Sequence, residues 1–223
     1  MVFSPTLLYQ EPMVPDNETL AFAYNLKCIA LFILELRKPE VFLIVQIYFN
    51  LNIMTNAGIF IVNSKGITIL GKATGKDYYD NFGGGQETTD LSTLHTGIRE
   101  FIEEFFNIKI TLDFLNSLCE LIKKNNIIKK EISIYKGTSY IINFNGLNFI
   151  FQELCKINNN LKLYNKNNNF NIKKYVKERI IKDKPKNGLN EIEYLHFFNI
   201  NTILKKKIKL RFITDKIINI LLE

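Results

Sequence analysis

The run Gly83-Gly84-Gly85-Gln86-Glu87, followed fourteen residues after Gly85 by Arg99-Glu100-Phe101-Ile102-Glu103-Glu104, decides the reading of this chain. Glycine has no Cβ, so the backbone there can turn sharply and approach a ligand closely. The glycines read as a turn that feeds a helix. Asp90 or Ser92 can cap that helix, which runs to about Phe106. Glu100, Glu103 and Glu104 stand at i, i+3 and i+4, which gathers three carboxylates on one helical patch. At roughly 100° per residue, Leu91, Leu94, Ile98, Phe101, Ile102 and Phe105 share an apolar arc that can pack on a sheet. The acids fall on the opposite side, facing a cleft. Three acids this close repel one another unless something neutralises them. Their oxygens are the ligands that hard divalent cations take. Arg99 can hold one carboxylate in a fixed pose.

Outward from this run the pattern is α/β. Gly58–Val62 reads as a strand, Asn63–Gly66 as a hairpin turn and Ile67–Leu70 as the return strand. Tyr78–Phe82 leads into the glycines. Further on, Leu112–Lys124 is a helix, Ile132–Tyr135 and Ser139–Phe144 are strands, and Phe149–Leu154 is a helix. Residues 156–174 are rich in Asn and Lys and read as a solvated insertion, which reaches to about residue 186 when the lysine-rich stretch is included. Ile192–Phe198 is a strand, and Ile203–Leu222 holds one or two helices.

The glycine run and the acidic helix together resemble the box of the Nudix hydrolases, G-x5-E-x7-R-E-U-x-E-E-x-G-U, where U is aliphatic. Gly85 matches the first glycine. Arg99, Glu100, Glu103 and Glu104 match R-E and E-E, and Phe101 is an apolar stand-in for U. Asp80-Asn81-Phe82 looks like the strand that enters the box. Leu91 departs from the pattern where its first glutamate stands, with Asp90 adjacent and Glu87 near. Phe106 departs where the final glycine stands, and Asn107 is expected to take over the left-handed helix end, with Ile108 as the closing aliphatic residue. The resemblance implies an α/β/α sandwich with a mixed sheet over residues 54–223. It also implies hydrolysis of a pyrophosphate linkage in a nucleoside diphosphate derivative, dependent on Mg²⁺ or Mn²⁺. On that reading Glu100, Glu103 and Glu104 are metal ligands, with the Gly84 or Gly85 carbonyl as a further contact, and Arg99 orients the carboxylates. In many relatives a distant acid completes the site or acts as base; Glu191 and Glu193 are the candidates for it here, and one of the three helix acids is the alternative for deprotonating the water. Tyr194 is a candidate for stacking on a base, while Phe197 and Phe198 read as core.

The formal charge is +7, and much of the excess lies at Lys173-Lys174, Lys177, Arg179, Lys182, Lys184, Lys186 and Lys205-Lys206-Lys207. This balance suits acidic partners: nucleotides, inositol phosphates or RNA. Capped RNA, the substrate of decapping-type Nudix proteins including viral ones, is therefore a second expectation. A Nudix fold that binds nucleotide or RNA without cleaving it is a third. Lys, Asn and Ile are abundant and share A/T-only codons, so coding bias contributes to the charge and would suit a large DNA virus acting in the host cytoplasm. Cys28, Cys119 and Cys155 stand far apart, which supports neither a disulfide framework nor a zinc knuckle and favours a reducing, intracellular setting. His95 and His196 read as surface or packing residues.

Residues 1–53 read as an N-terminal extension. Pro5, Pro12 and Pro15 keep its start irregular, and the apolar runs Cys28–Leu36 and Val41–Leu51 fall short of the roughly 18–20 residues that span a bilayer. No signal-peptide pattern is expected from such a start. Membrane attachment through residues 27–51 is the weakest of the function classes.

Overall fold

In the computed structural model, residues 56–134, 137–186 and 188–223 are described. The expectations for residues 1–53 lie outside them. Strand alternation sets the architecture. In β1 (Asn56–Val62), Ile59 and Ile61 enter one apolar cluster and Phe60 another. The turn after it is closed by Asn63, whose Oδ1 accepts from the main-chain N–H groups of Lys65 and Ile67 at 2.9 Å. This turn delivers β2 (Ile67–Ala73) as the antiparallel return strand, as the sequence suggests.

The sheet is mixed. β1 pairs in parallel with β6 (Gly137–Ile142), β6 pairs antiparallel with β5 (Ile128–Ile134), and β9 (Ile192–Asn199) runs antiparallel along β2. The short strand β3 (Tyr79–Asp80) pairs with β2. After one residue, Asn81, the chain switches to β1 as β4 (Phe82–Gly85). The glycine run is therefore a strand and not the turn its composition suggests. Gly83 sits opposite Gly58, and Gly84 opposite Ala57. A Cβ on Gly83 would lie 2.5 Å from the Gly58 Cα, so these strands approach too closely for side chains.

Ser92, not Asp90, caps α1 (Thr93–Phe101), accepting from the His95 N–H. The helix then widens into a π-type turn over Ile102–Phe106 and stops at Asn107, whose φ of 56° is the left-handed end expected there. All five residues of that turn are buried. Phe106 is core: it meets Phe101, Phe105, Phe170 and Tyr175. α2 (Leu112–Lys124) follows as expected. Strand β6 ends earlier than expected, because Asn143 caps α3 (Phe144–Cys155) by accepting from the Gly146 N–H at 2.9 Å. The helix therefore starts five residues ahead of Phe149.

The Asn/Lys-rich stretch is not a solvated loop. It holds a 3₁₀ turn (Asn159–Tyr164), a small hairpin of β7 (Asn165–Lys166) and β8 (Asn169–Phe170), and α4 (Ile172–Glu178). Asn167 and Asn168 supply the positive φ of the hairpin turn, while Leu161, Phe170, Tyr175 and Val176 are buried. Widely spaced apolar residues anchor a segment whose average composition is polar. The chain closes with two helices, α5 (Ile200–Lys206) and α6 (Phe212–Leu222).

Two apolar clusters flank the sheet. One joins Ile59, Ile61 and Phe82 to residues of α1, α2 and α3. The other joins Phe60, Leu70 and Ile141 to Ile203 of α5 and Ile217 and Ile218 of α6. The protein is thus α/β, with helices on both sides of a mixed sheet. Among the described residues no helix is long and apolar enough to cross a membrane.

Candidate active site

The last turns of α1 lie against β4, and the contact is made by acids. Glu104 is buried and its Oε2 accepts from the Gly83 N–H at 2.6 Å. The Glu100 carboxylate occupies the space beside Gly84, where a Cβ would come within 2.6–2.7 Å of its carboxylate atoms. Gly188, at a φ of 80°, lies against the Glu103 carboxylate in the same way. The three helix acids predicted from the spacing are therefore gathered between a glycine strand and a glycine loop, which leave room for them by lacking side chains.

Arg99 organises the cluster. Its Nη1 pairs with Glu100 at 2.9 Å and with Glu103 and Glu87 at 3.4 Å. Its Nη2 donates to the Gly85 carbonyl at 2.9 Å and to Asp90 Oδ2 at 2.9 Å, and Nε also reaches Asp90. Asp90 is the residue that sequence reasoning undervalued. Its side chain is only 1% exposed, and it also accepts from the Glu87 N–H and the Thr96 hydroxyl. Leu91, at the position where the box pattern has a glutamate, is 71% exposed and takes no part. Burial opposes ionisation of Asp90, but the Arg99, Glu87 and Thr96 contacts outweigh it and hold the carboxyl below its usual range.

The remaining acids are under-compensated. Burial pushes Glu100 up to about 7, against the pull of Arg99. Burial also raises Glu103, and it drives Glu104 well above the usual carboxylate range with Asp80 and Glu100 adding to the effect. Glu191, exposed at the start of β9, contributes its charge to all three. Its backbone is fixed on both sides: the Asn190 N–H donates to Asn107 Oδ1 at 2.9 Å, and the Glu191 carbonyl accepts from the Thr74 N–H at 2.8 Å. Glu193, two residues further on, is half-buried.

Other expectations fare differently. The Gly85 carbonyl is engaged by Arg99, which leaves one of its two lone pairs. The Tyr194 hydroxyl lies 3.2 Å from that of Tyr79, and its ring packs edge-on to Tyr79 rather than on the carboxylates. Phe198 is buried, and Phe197 packs on Phe144, in keeping with core roles. Arg179, counted in the sequence among charges open to a partner, is buried. His95 is buried too, its Nδ1 accepting from the Leu91 N–H. Sequence reasoning also missed a second polar knot at the other end of β4. Asp80 pairs with Arg211 at 3.0 Å, and the Thr214 hydroxyl meets Asp80 and Asn81. A pocket of about 120 Å³ opens there, lined by Asn56, Gly58, Asn81, Gly84, Ser139 and Arg211.

Among the described residues no three His, Cys, Asp or Glu side chains stand in a ready-made metal cage. Arg99 draws Glu100 and Glu103 toward itself, and Glu104 turns to Gly83. The donor chemistry still fits a hard divalent cation: oxygen ligands only, crowded, part-buried and short of compensating positive charge. Gly84 gives a direct test of this crowding. Gly84→Ala would press on the flexible end of Glu100 and not on backbone, so stability should change by under about 1 kcal/mol. Any metal-dependent turnover should fall about a hundredfold. A thermal melt beside a rate measurement checks both; a variant with unchanged turnover would show that the placement of Glu100 is immaterial.

The sequence matches no profile of a known protein family and no curated protein. Among solved structures that resemble it is a bifunctional NMN adenylyltransferase/ADP-ribose pyrophosphatase from Francisella tularensis, in complex with AMP and a manganese ion. The identity is 15% and the TM-score 0.41, and the match covers 76% of this chain and 41% of that one.

Proposed function

We propose that this protein is a divalent-metal-dependent hydrolase of the Nudix type that cleaves a pyrophosphate linkage in a nucleoside diphosphate derivative. The observation that carries this reading is the packing of Glu100, Glu103 and Glu104 against glycine backbone with too little positive charge to balance them. A protein does not accumulate part-buried, mutually repelling acids for stability. The R-E and E-E pattern of the sequence agrees with it.

Glu100, Glu103 and Glu104 would hold the cation. Bound there, Mg²⁺ or Mn²⁺ would offset the charge that develops on the phosphate oxygens. Arg99 keeps Glu100 and Glu103 in one orientation, and Asp90 keeps Arg99 in place. The bare backbone of Gly85 lets a diphosphate come close, beside the Glu100 carboxylate that fills the space at Gly84. A Glu191 carboxylate oxygen takes a proton from water as the water oxygen bonds to phosphorus. The bridging P–O bond breaks, and its electron pair leaves on the departing phosphate.

The test is product release from a panel of nucleoside diphosphate conjugates and capped RNA, with Mg²⁺, with Mn²⁺ and with chelator. Cleavage of at least one member with metal and none with chelator is expected. Binding of the panel without any cleavage would assign the fold to nucleotide recognition instead. The acids also predict a pH dependence. A carboxyl titrating at about 7 is mostly protonated at pH 6 and mostly ionised at pH 8, so Mn²⁺ should bind about tenfold more tightly at pH 8. The sign for folding is opposite. A carboxyl raised above its unfolded value costs stability as pH rises through that window, so the metal-free protein should melt progressively lower from pH 5 to pH 8, and Mn²⁺ should flatten the slope. Calorimetric titration and melting curves at the two pH values check both; equal Mn²⁺ affinity at pH 6 and 8 would remove Glu100 from the ligand set.

A further inference from the structure

The end of the acidic helix is held by side chains from the Asn/Lys-rich insertion. The last carbonyls of any helix lack intrahelical partners, and those of Glu104 and Phe105 lie in a turn that is buried and cut off from water. Arg179, just past α4, donates from Nη2 to the Glu104 carbonyl at 2.5 Å and from Nη1 to the Ile192 carbonyl at 2.6 Å. Tyr175 on α4 donates its hydroxyl to the Phe105 carbonyl at 3.0 Å. The guanidinium has no carboxylate partner among the described residues, and its Nε is buried with no partner there at all. Burying an arginine this way is expensive, and a neutral side chain could cap one carbonyl. What only a planar fork does is bridge two main-chain acceptors at a fixed separation. The two it bridges belong to the residue that carries the Glu104 carboxylate and to the neighbour of Glu191.

We infer that Arg179 is a positioning residue that sets the spacing between the helix acids and Glu191, with Tyr175 steadying the same turn. The inference rests on the proposed metal-dependent hydrolysis at this site. The insertion thereby acquires a role, since α4 forms the back wall against which the acidic turn is seated. Lys177, on the same helix, is exposed and has no part in it.

The test compares wild type, Arg179→Met, Arg179→Lys and Tyr175→Phe in the full chain, at a temperature where each is folded by circular dichroism. Mn²⁺ affinity is read by electron paramagnetic resonance, and kcat and KM on the best substrate of the panel. Expected are a Mn²⁺ affinity about tenfold weaker in Arg179→Met and a kcat that falls far more than KM rises. Arg179→Lys should recover part of the affinity, because an ammonium can still reach one carbonyl, and Tyr175→Phe should show a smaller loss of the same kind. Folded Arg179 variants that melt lower yet bind Mn²⁺ and turn over like wild type would overturn the inference and leave Arg179 a purely structural tie. If Arg179→Met does not fold, the same comparison is read from Arg179→Lys and Tyr175→Phe. A wild type that binds no Mn²⁺ and cleaves nothing would instead sink the underlying assignment, so the two failures are separable.

Discussion

Asp90→Ala is expected to destabilise the protein by about 3–5 kcal/mol, because one buried carboxylate accepts from the Nε and Nη2 edge of Arg99, the Glu87 N–H and the Thr96 hydroxyl, and all of these lose their acceptor together. For a chain of this size the melting temperature should drop by roughly 10 °C. Asp90 takes both the Nε and Nη2 edge of Arg99, so its loss would leave the guanidinium to swing onto Glu100 and Glu103. Leu91→Glu, one residue along, should change stability by no more than about 0.5 kcal/mol, because that side chain already faces solvent. The pair of variants, melted side by side, separates two readings of the sequence. If Asp90→Ala melts within about 2 °C of wild type, or Leu91→Glu behaves like the more damaging change, Arg99 is not anchored as described.

The second large effect concerns Glu103→Gln with Glu104→Gln. On the proposed reading, hydrolysis should fall by about a thousandfold or more, as expected when two ligands of the cation that would offset charge on the reacting phosphate are lost. Stability at pH 8 should rise. In the folded state both acids titrate above their ordinary value because burial disfavours the charged form, so each contributes a penalty at any pH above that raised value. Glutamine keeps an oxygen for the Gly83 N–H and carries no charge. The gain should shrink as pH falls, because both acids take up their proton in the folded protein before they would in the unfolded chain. A protein that becomes firmer as it loses activity is the mark of a site kept under strain for a purpose. Loss of activity with an equal loss of melting temperature at pH 8 would instead make the two acids ordinary packing residues.

Much of the site is legible in the sequence because helical spacing is rigid. The positions of Arg99 and Glu100 follow from 3.6 residues per turn. Glu103 and Glu104 stay beside them although the turn that carries them widens, which the spacing does not announce, and Asn107 is the residue best able to end the helix left-handed, as it does. What depends on distant partners is not legible. The glycines are a strand because Gly58, far upstream in the chain, faces them across the pair, and no local pattern announces that. Asp90 and Leu91 differ by one place, and spacing does not say which side chain reaches back to Arg99. The insertion misleads through its average: its asparagines and lysines outnumber Leu161, Phe170, Tyr175 and Val176, yet those four decide where it packs. Arg179 reads in the sequence as one more surface charge. Its place shortly after the apolar pair Tyr175-Val176 is the local hint that it follows a helix face turned inward.

The wide turn at Ile102–Phe106 has a consequence for how the chain comes off the ribosome. Its carbonyls find their partners 75 residues later for Glu104 and 70 residues later for Phe105. During synthesis these two carbonyls therefore stay without their partners until the polypeptide through Arg179 has been released from the exit tunnel. Contacts this far apart in sequence form late, and chaperone recognition should concentrate on nascent chains stalled between these two points.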